Sequence, residues 1–276
     1  MKTFHKLISI VCFLSGGSAA SAAPFPPGWT LSNAGIGGLS TAVAGLAPSE
    51  GQQFGYIDST GLTELGVTGV PGATTGSVML SSVFTFGAQR ILSLDLNFLT
   101  NDGEDFPDFA VVQLLNAATG EKVATLYTAN TTCDVCRAVP AIGGPGDISP
   151  EVSLNPGSVF FDGKFTGLLG GIPYGPGKWL TGLGGATGWV TSSYTVGPGA
   201  YQLAFFVGNV SDAGLESALA FDNIRTDAGL IEGFEATSQV PEPGSQGLLL
   251  GAAALLLGMR LRARQRPTRP AGAAKR

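Results

Sequence analysis

Ile91-Leu92-Ser93-Leu94-Asp95-Leu96-Asn97-Phe98 decides the fold class of this chain. Leu92, Leu94, Leu96 and Phe98 fall on one side of an extended backbone, and Ile91, Ser93, Asp95 and Asn97 on the other. Successive side chains of a strand point to opposite faces, so this period of two predicts an antiparallel strand with one buried face. Six further runs read as strands: Val78–Phe86, Phe109–Leu115, Lys122–Thr128, Trp189–Val196, Tyr201–Gly208 and Ala218–Thr226. Tyr201–Val207 is apolar on both faces, with Leu203, Phe205 and Val207 set against Ala204 and Phe206, which predicts a central strand.

Turn signals punctuate these runs. Asn116-Ala117-Ala118-Thr119-Gly120 joins two of them with a glycine where positive φ is useful, and Gly197-Pro198-Gly199-Ala200 does the same before Tyr201. Many short strands with such punctuation predict an all-β fold, a single jelly-roll-like antiparallel β-sandwich. Between Thr128 and Trp189 lies a Gly/Pro-rich stretch that strand rules leave unassigned, read as a long insertion. There is no internal repeat and no sign of a second core.

The two ends have a different character. Lys2 and Lys6, the apolar run Leu7–Leu14 and the small residues from Ser18 to Ala23 form a secretory signal peptide, with cleavage after Ala22. At the other end Val240-Pro241-Glu242-Pro243 precedes GLLLGAAALLLGM (Gly247–Met259) and then Arg260, Arg262, Arg264, Arg266 and Arg269. Charge-free Leu/Ala/Gly sequence predicts a short transmembrane helix at about 246–261, and the arginines hold its far end in the cytoplasm. A comfortable span takes roughly 20 apolar residues, so the shorter run reads as a provisional anchor, with an ordinary single-pass anchor as the alternative. The expected organisation is a signal peptide over 1–22, an ectodomain over 23–239 and a tail over 240–276.

Removing the ends exposes the charge that matters. The chain's formal net charge of −5 includes two lysines of the signal and seven basic residues after Met259. Between them stand six basic residues against 20 acidic ones, a net charge of −14. Such acidity disfavours nucleic acid, anionic lipid and polyanionic glycans, and leaves neutral polysaccharides and divalent cations as partners. The lone histidine, His5, leaves with the signal peptide. Without imidazole there is no Ser-His-Asp triad, no Cys-His pair and no usual zinc-hydrolase ligand set; a hydrolase built on an Asp/Glu pair stays chemically allowed. Cys133 and Cys136 remain, and in an oxidising setting their C-x-x-C spacing predicts a small local disulfide, a redox-active pair being the alternative.

Asn101-Asp102-Gly103-Glu104-Asp105-Phe106-Pro107-Asp108 is the densest cluster of chemistry. Asp102, Glu104, Asp105 and Asp108 are hard oxygen donors of the kind calcium takes, although the spacing is not that of an EF-hand loop. Asp222 or Asn223 would complete the shell, and a solvated acidic loop is the alternative. Sandwich modules bind sugars on aromatic platforms. Tyr174 and Trp179, both in the long insertion, are the candidates here; Trp29, Trp189 and Tyr194 are also available, and Trp189, at a strand start, reads as core. The glycines from Gly182 to Gly188 lack the spacing and βαβ setting of a dinucleotide site.

The Pro241-Glu242-Pro243 motif, apolar stretch and arginine cluster resemble the PEP-CTERM sorting signal of Gram-negative bacteria. The resemblance implies recognition by exosortase, a membrane transpeptidase-like enzyme, near that motif. With the signal peptide it implies export through the Sec pathway, a stage anchored in the inner membrane, and then a place on the cell surface or in the extracellular matrix. Such proteins accompany exopolysaccharide and biofilm production. In the ectodomain, Gln53-Phe54-Gly55-Tyr56, Ser82-Val83-Phe84, Asp105-Phe106-Pro107-Asp108-Phe109-Ala110, Gly188-Trp189-Val190 and Leu219-Ala220-Phe221-Asp222-Asn223-Ile224 resemble an uncharacterised family of PEP-CTERM ectodomains. The Asp-Asn pair closing the last run is similar to one in jelly-roll carbohydrate-binding modules. Neither likeness assigns an activity.

Three readings follow: a non-enzymatic surface or matrix protein that binds carbohydrate, a purely structural surface protein, and an acidic-pair glycan hydrolase acting through Glu104, Asp105 or Asp108. The first two predict no turnover; the third predicts activity abolished by one Asp→Asn change.

Overall fold

The computed structural model describes residues 24–32, 37–40, 46–61, 73–100, 108–131, 137–141, 147–160 and 185–231. The signal peptide, the tail with Pro241, Glu242 and Pro243, the expected membrane helix, Asp102, Glu104, Asp105, Cys133, Cys136, Tyr174 and Trp179 lie outside the described residues. The chain divides into two units, Met1–Glu235 and Ala236–Arg276, and every described residue belongs to the first.

All regular structure among the described residues is strand, and every strand pair is antiparallel. In chain order the strands are β1 (Thr30–Ser32), β2 (Gly37–Ser40), β3 (Phe54–Asp58), β4 (Ala73–Leu80), β5 (Phe84–Phe86), β6 (Arg90–Thr100), β7 (Phe109–Asn116) and β8 (Lys122–Asn130). There follow β9 (Arg137–Val139), β10 (Ser153–Asn155), β11 (Val159–Phe160), β12 (Gly185–Ala186), β13 (Val190–Val196), β14 (Gly199–Val210), β15 (Ser217–Thr226) and β16 (Gly229–Leu230). One sheet runs β1-β4-β14-β7-β8, with β5 also on β14. The other runs β10-β13-β6-β15-β3-β2, with β12 on β6 and β16 on β15; β9 and β11 pair by themselves.

The two large sheets share one core. Leu92, Leu94, Leu96 and Phe98 of β6 and Leu219 and Phe221 of β15 enter it from one side. Ala110, Val112 and Leu114 of β7 and Leu203, Phe205 and Val207 of β14 enter from the other. Burying each large side chain contributes about 1.5–3 kcal/mol, so the alternation in β6 and its partners is what drives the sheets together. The expectation of a central Tyr201 strand holds: β14 lies between β4 and β7. The turn after β7 also holds, with Asn116 Oδ1 accepting from the amides of Ala118 and Thr119 and Gly120 at φ 72°.

Four expectations change. The run Val78–Phe86 is two strands, because Ser81 leaves the ladder: its amide donates to the Leu203 carbonyl, and its hydroxyl oxygen accepts from the Leu203 amide. The Gly197–Ala200 turn links strands of different sheets, β13 and β14, and so turns a corner instead of closing a hairpin. The long Gly/Pro-rich stretch supplies structure as well as loop, since β10 extends the sheet edge beside β13. Finally, the second face of β6 is covered over its C-terminal half: Asp95, Asn97 and Leu99 are buried there too, while Ile91 at the other end stays exposed.

Candidate functional site

What covers that second face is a strap, residues 46–53, leading into β3. Leu46 packs against a small cluster of Phe54, Tyr56, Leu99, Ala218 and Ala220 on the sheet's outer side. Trp189 joins the cluster, meeting Phe54 edge to face at 5.8 Å, and its indole Nε1 donates to the Ala47 carbonyl at 3.1 Å. Trp189 thus serves packing, on the outer cluster instead of the inner core.

Beside this cluster a polar row crosses three strands. Register sets Thr191 of β13 opposite Asp95 of β6, and Asp95 opposite Asp222 of β15. Even-numbered β15 residues Ala218 and Ala220 lie on the outer cluster, and Asp222 follows the same parity. Asp95 and Asp222 are 7% and 3% exposed. The Thr191 hydroxyl donates to Asp95 Oδ1 at 2.6 Å, and Asn223 Nδ2 donates to Asp95 Oδ2 at 3.1 Å. The strap and β15 itself supply the donors for Asp222: the strap amides of Ser49 and Glu50 reach Oδ2 at 2.7 and 3.0 Å, and the amide of the next residue, Asn223, reaches Oδ1 at 2.7 Å. Ser49 Oγ stands between the carboxylates, 2.8 Å from Asp95 Oδ2 and 3.0 Å from Asp222 Oδ2.

Burial pushes Asp222 above the ordinary carboxylate range, while the Glu50, Asn223 and Ser49 donors pull it back. Its neighbour Asn223 adopts φ 50°, left-handed backbone that asparagine tolerates better than most residues. A register shift between Asp222 and Arg225 accompanies it. Asn223 is itself buried, and its Oδ1 has no hydrogen-bond partner among the described residues. At the rim, Arg225 Nη1 meets Glu50 Oε2 at 3.4 Å, an exposed pair that ties the strap to β15.

The sequence-predicted residues fare unevenly. Asp108 is fully buried; its carboxylate accepts from Ser217 Oγ at 2.6 Å and from the Val210 amide at 3.3 Å. Ser217 and Asp222 lie at opposite parities of β15, so Asp108 and Asp222 occupy opposite faces of that strand and are not brought together. Trp29 stacks on Phe221 at 5.8 Å and on Phe205 at 6.0 Å, and Tyr194 packs on the same core. Among the described residues no three His, Cys, Asp or Glu side chains gather closely enough to hold a metal by themselves. Asp95, Ser49 and Thr191 were not candidates from sequence, because an aspartate on the polar side of an alternating strand reads as solvated.

The tail, residues 239–265, matches the family model described as the PEP-CTERM protein-sorting motif, so the chain carries that sorting signal as its sequence suggested. No curated protein matches the chain. Among solved structures it is similar to the K1 cleaved adhesin domain of Lys-gingipain from Porphyromonas gingivalis W83, at 12% identity and a TM-score of 0.34 over 72% of this chain and 89% of that one. It is also similar to the enzymatically active domain of tailspike protein 4 from bacteriophage CBA120, at 16% identity and a TM-score of 0.28, over 74% of this chain and 20% of that one.

Proposed function

We propose that this chain, bearing the PEP-CTERM sorting signal, is a non-enzymatic surface or extracellular-matrix protein. It is exported, handed to exosortase at the inner membrane and retained with exopolysaccharide. The sorting motif at 239–265 is the observation that carries this reading. In it, the signal peptide commits the chain to export, and the short apolar run with its arginines holds the tail in the membrane long enough for exosortase to act near Pro241-Glu242-Pro243. The β-sandwich, jelly-roll-like in this reading, then remains outside. Its acidity suits a neutral polysaccharide, and Tyr174 and Trp179 supply apolar ring faces for sugar.

Expression of the full chain in hosts with and without exosortase tests the route. Mass spectrometry should find a product ending near residue 241 only when exosortase is present, and Glu242→Ala should abolish it. An identical product in both hosts would sink the route. Retention of the full-length chain on a polysaccharide panel tests the second half. Saturable binding lost in Tyr174→Ala and Trp179→Ala supports a binding module, no binding supports a structural protein, and turnover would favour the hydrolase.

A further inference from the structure

We infer that the strap is an autoinhibitory contact, standing on the outer face of the sheet where a neutral glycan binds once the strap lifts. The inference rests on the reading of this chain as a glycan-associated surface protein, and gives that reading a site among the described residues. The strap offers the face one hydroxyl, two N–H groups and one carbonyl oxygen. Ser49 Oγ meets Asp95 and Asp222, the Ser49 and Glu50 amides donate to Asp222, and the Ala47 carbonyl accepts from the Trp189 indole. Sugar hydroxyls can replace all of these, because an O–H donates to a carboxylate and its oxygen accepts from an indole N–H. Phe54 and Trp189, edge to face at 5.8 Å, lie on the same face and supply apolar ring surface for sugar C–H groups. Two carboxylates on this face, with Arg225 engaged by Glu50, repel an anionic glycan and leave a neutral one as the match.

Two observations mark the strap as a replaceable occupant. It is held by polar bonds: among its residues only Leu46 joins an apolar cluster, while Ala47 and Ser49 to Gln52 are exposed. Hydrogen bonds can be exchanged for equivalent ones from a ligand at little net cost, and the exposed Arg225–Glu50 pair adds little to the hold. Gly51, at φ 70° and with open space where a Cβ would stand, gives the strap a joint ahead of β3. The fit of the strap is also incomplete. Tyr56, in the outer cluster, is 2% exposed, and Asn223 lies buried in the polar row beside it. The Tyr56 hydroxyl and Asn223 Oδ1 have no hydrogen-bond partner among the described residues. Buried polar groups are nearly always paired, so the folded strap leaves a hydroxyl and a carbonyl oxygen of this face unused that a ligand with more hydroxyls can serve.

Affinity electrophoresis of the full chain in detergent, through gels carrying dextran, soluble starch or galactomannan with alginate as the anionic control, tests the inference. Ser49→Pro removes the hydroxyl and the amide of Ser49 together, and should tighten retention by a neutral glycan at least about tenfold by raising the open fraction. Trp189→Ala, and separately Asp95→Asn, should remove that gain in the Ser49→Pro chain. Melting curves check the fold of each, and either variant suffices where the other fails to fold. In the unaltered chain the retaining glycan should speed hydrogen exchange at the Ser49 and Glu50 amides at least about tenfold, the reverse of ordinary protection by a ligand. Equal retention of Ser49→Pro and the unaltered chain, a gain that survives in a folded Trp189→Ala or Asp95→Asn chain, slowed exchange, or stronger retention by alginate would overturn the inference. If retention depends on Tyr174 and Trp179 and ignores the strap, only this inference fails; if no chain is retained by any glycan, the glycan reading fails with it.

Discussion

Gly55→Ala should unseat the aromatic centre of the sandwich, by an amount the structure sets. Gly55 of β3 lies directly opposite Phe221 of β15. A Cβ built on Gly55 would stand 2.1, 2.3 and 2.9 Å from three carbons of the Phe221 ring. Carbon atoms pack at about 3.5–4 Å, so the ring would have to retreat by roughly 1.5 Å. It has nowhere easy to go: Phe205 lies 4.5 Å from its centroid, Trp29 5.8 Å and Phe25 6.1 Å. Overpacking a filled core costs about 1–3 kcal/mol, and with three rings behind the displaced one the cost should reach the upper end, about 3 kcal/mol. For a domain of this size that lowers the melting temperature by roughly 6–12 °C. Circular dichroism melts of the full chain in detergent read it. Phe221→Leu alone should cost about 1–2 kcal/mol, but in the double variant it makes room for the new methyl group, leaving the pair at least about 1 kcal/mol more stable than the sum of the singles. A cost below about 1 kcal/mol for Gly55→Ala, or simple additivity, would refute the steric reasoning.

Asp108→Asn sets an amide against the Ser217 hydroxyl and Val210 amide that now donate to a carboxylate, and should lower stability by about 1–3 kcal/mol in denaturant titrations. Trp189→Phe removes the Nε1 bond to Ala47 while keeping an aromatic ring on Phe54; hydrogen exchange at Ser49 and Glu50 should speed up, with β14 unaffected. Burial first, and Asp58 second, push the Tyr56 phenol from 10.0 up to about 12, and burial raises Tyr127 further against its Thr187 and Phe98 hydrogen bonds. A phenol that holds its proton more tightly when folded stabilises fully below pH 10, and that contribution is lost as pH rises from there through about 12. Tyrosinate absorbance should therefore show these two ionising above the ordinary range or together with unfolding, and a normal titration of all tyrosines with the fold intact would contradict their burial.

The sandwich was legible because burial writes a period of two into a strand. Leu92, Leu94, Leu96 and Phe98 announce their shared face whatever they pack against, and β14 announces a central place by being apolar on both sides. Short edge strands carry no such signal. β10, with three residues, is a strand beside β13, which offers it hydrogen bonds, and Val78–Phe86 breaks where the Ser81 hydroxyl takes the Leu203 amide that would otherwise bond the backbone.

The candidate site was half legible: Asp222 and Asn223 stood out in the sequence, whereas Asp95, Ser49 and Thr191 did not, for a related reason. The sequence alone establishes an acidic chain with a single histidine, strand-period patterning and a sorting tail, because charge balance, residue inventory, periodicity and terminal motifs are properties of the chain itself. Whether an aspartate faces water or another aspartate is not such a property. Asp95 and Asp222 are separated by most of the ectodomain's length, and the strap that buries them is an irregular segment with no periodicity to read. Strand register puts the two carboxylates side by side, and only the folded strap, by covering them and supplying the Ser49 and Glu50 donors, turns two residues far apart in sequence into one buried hydrogen-bonded site.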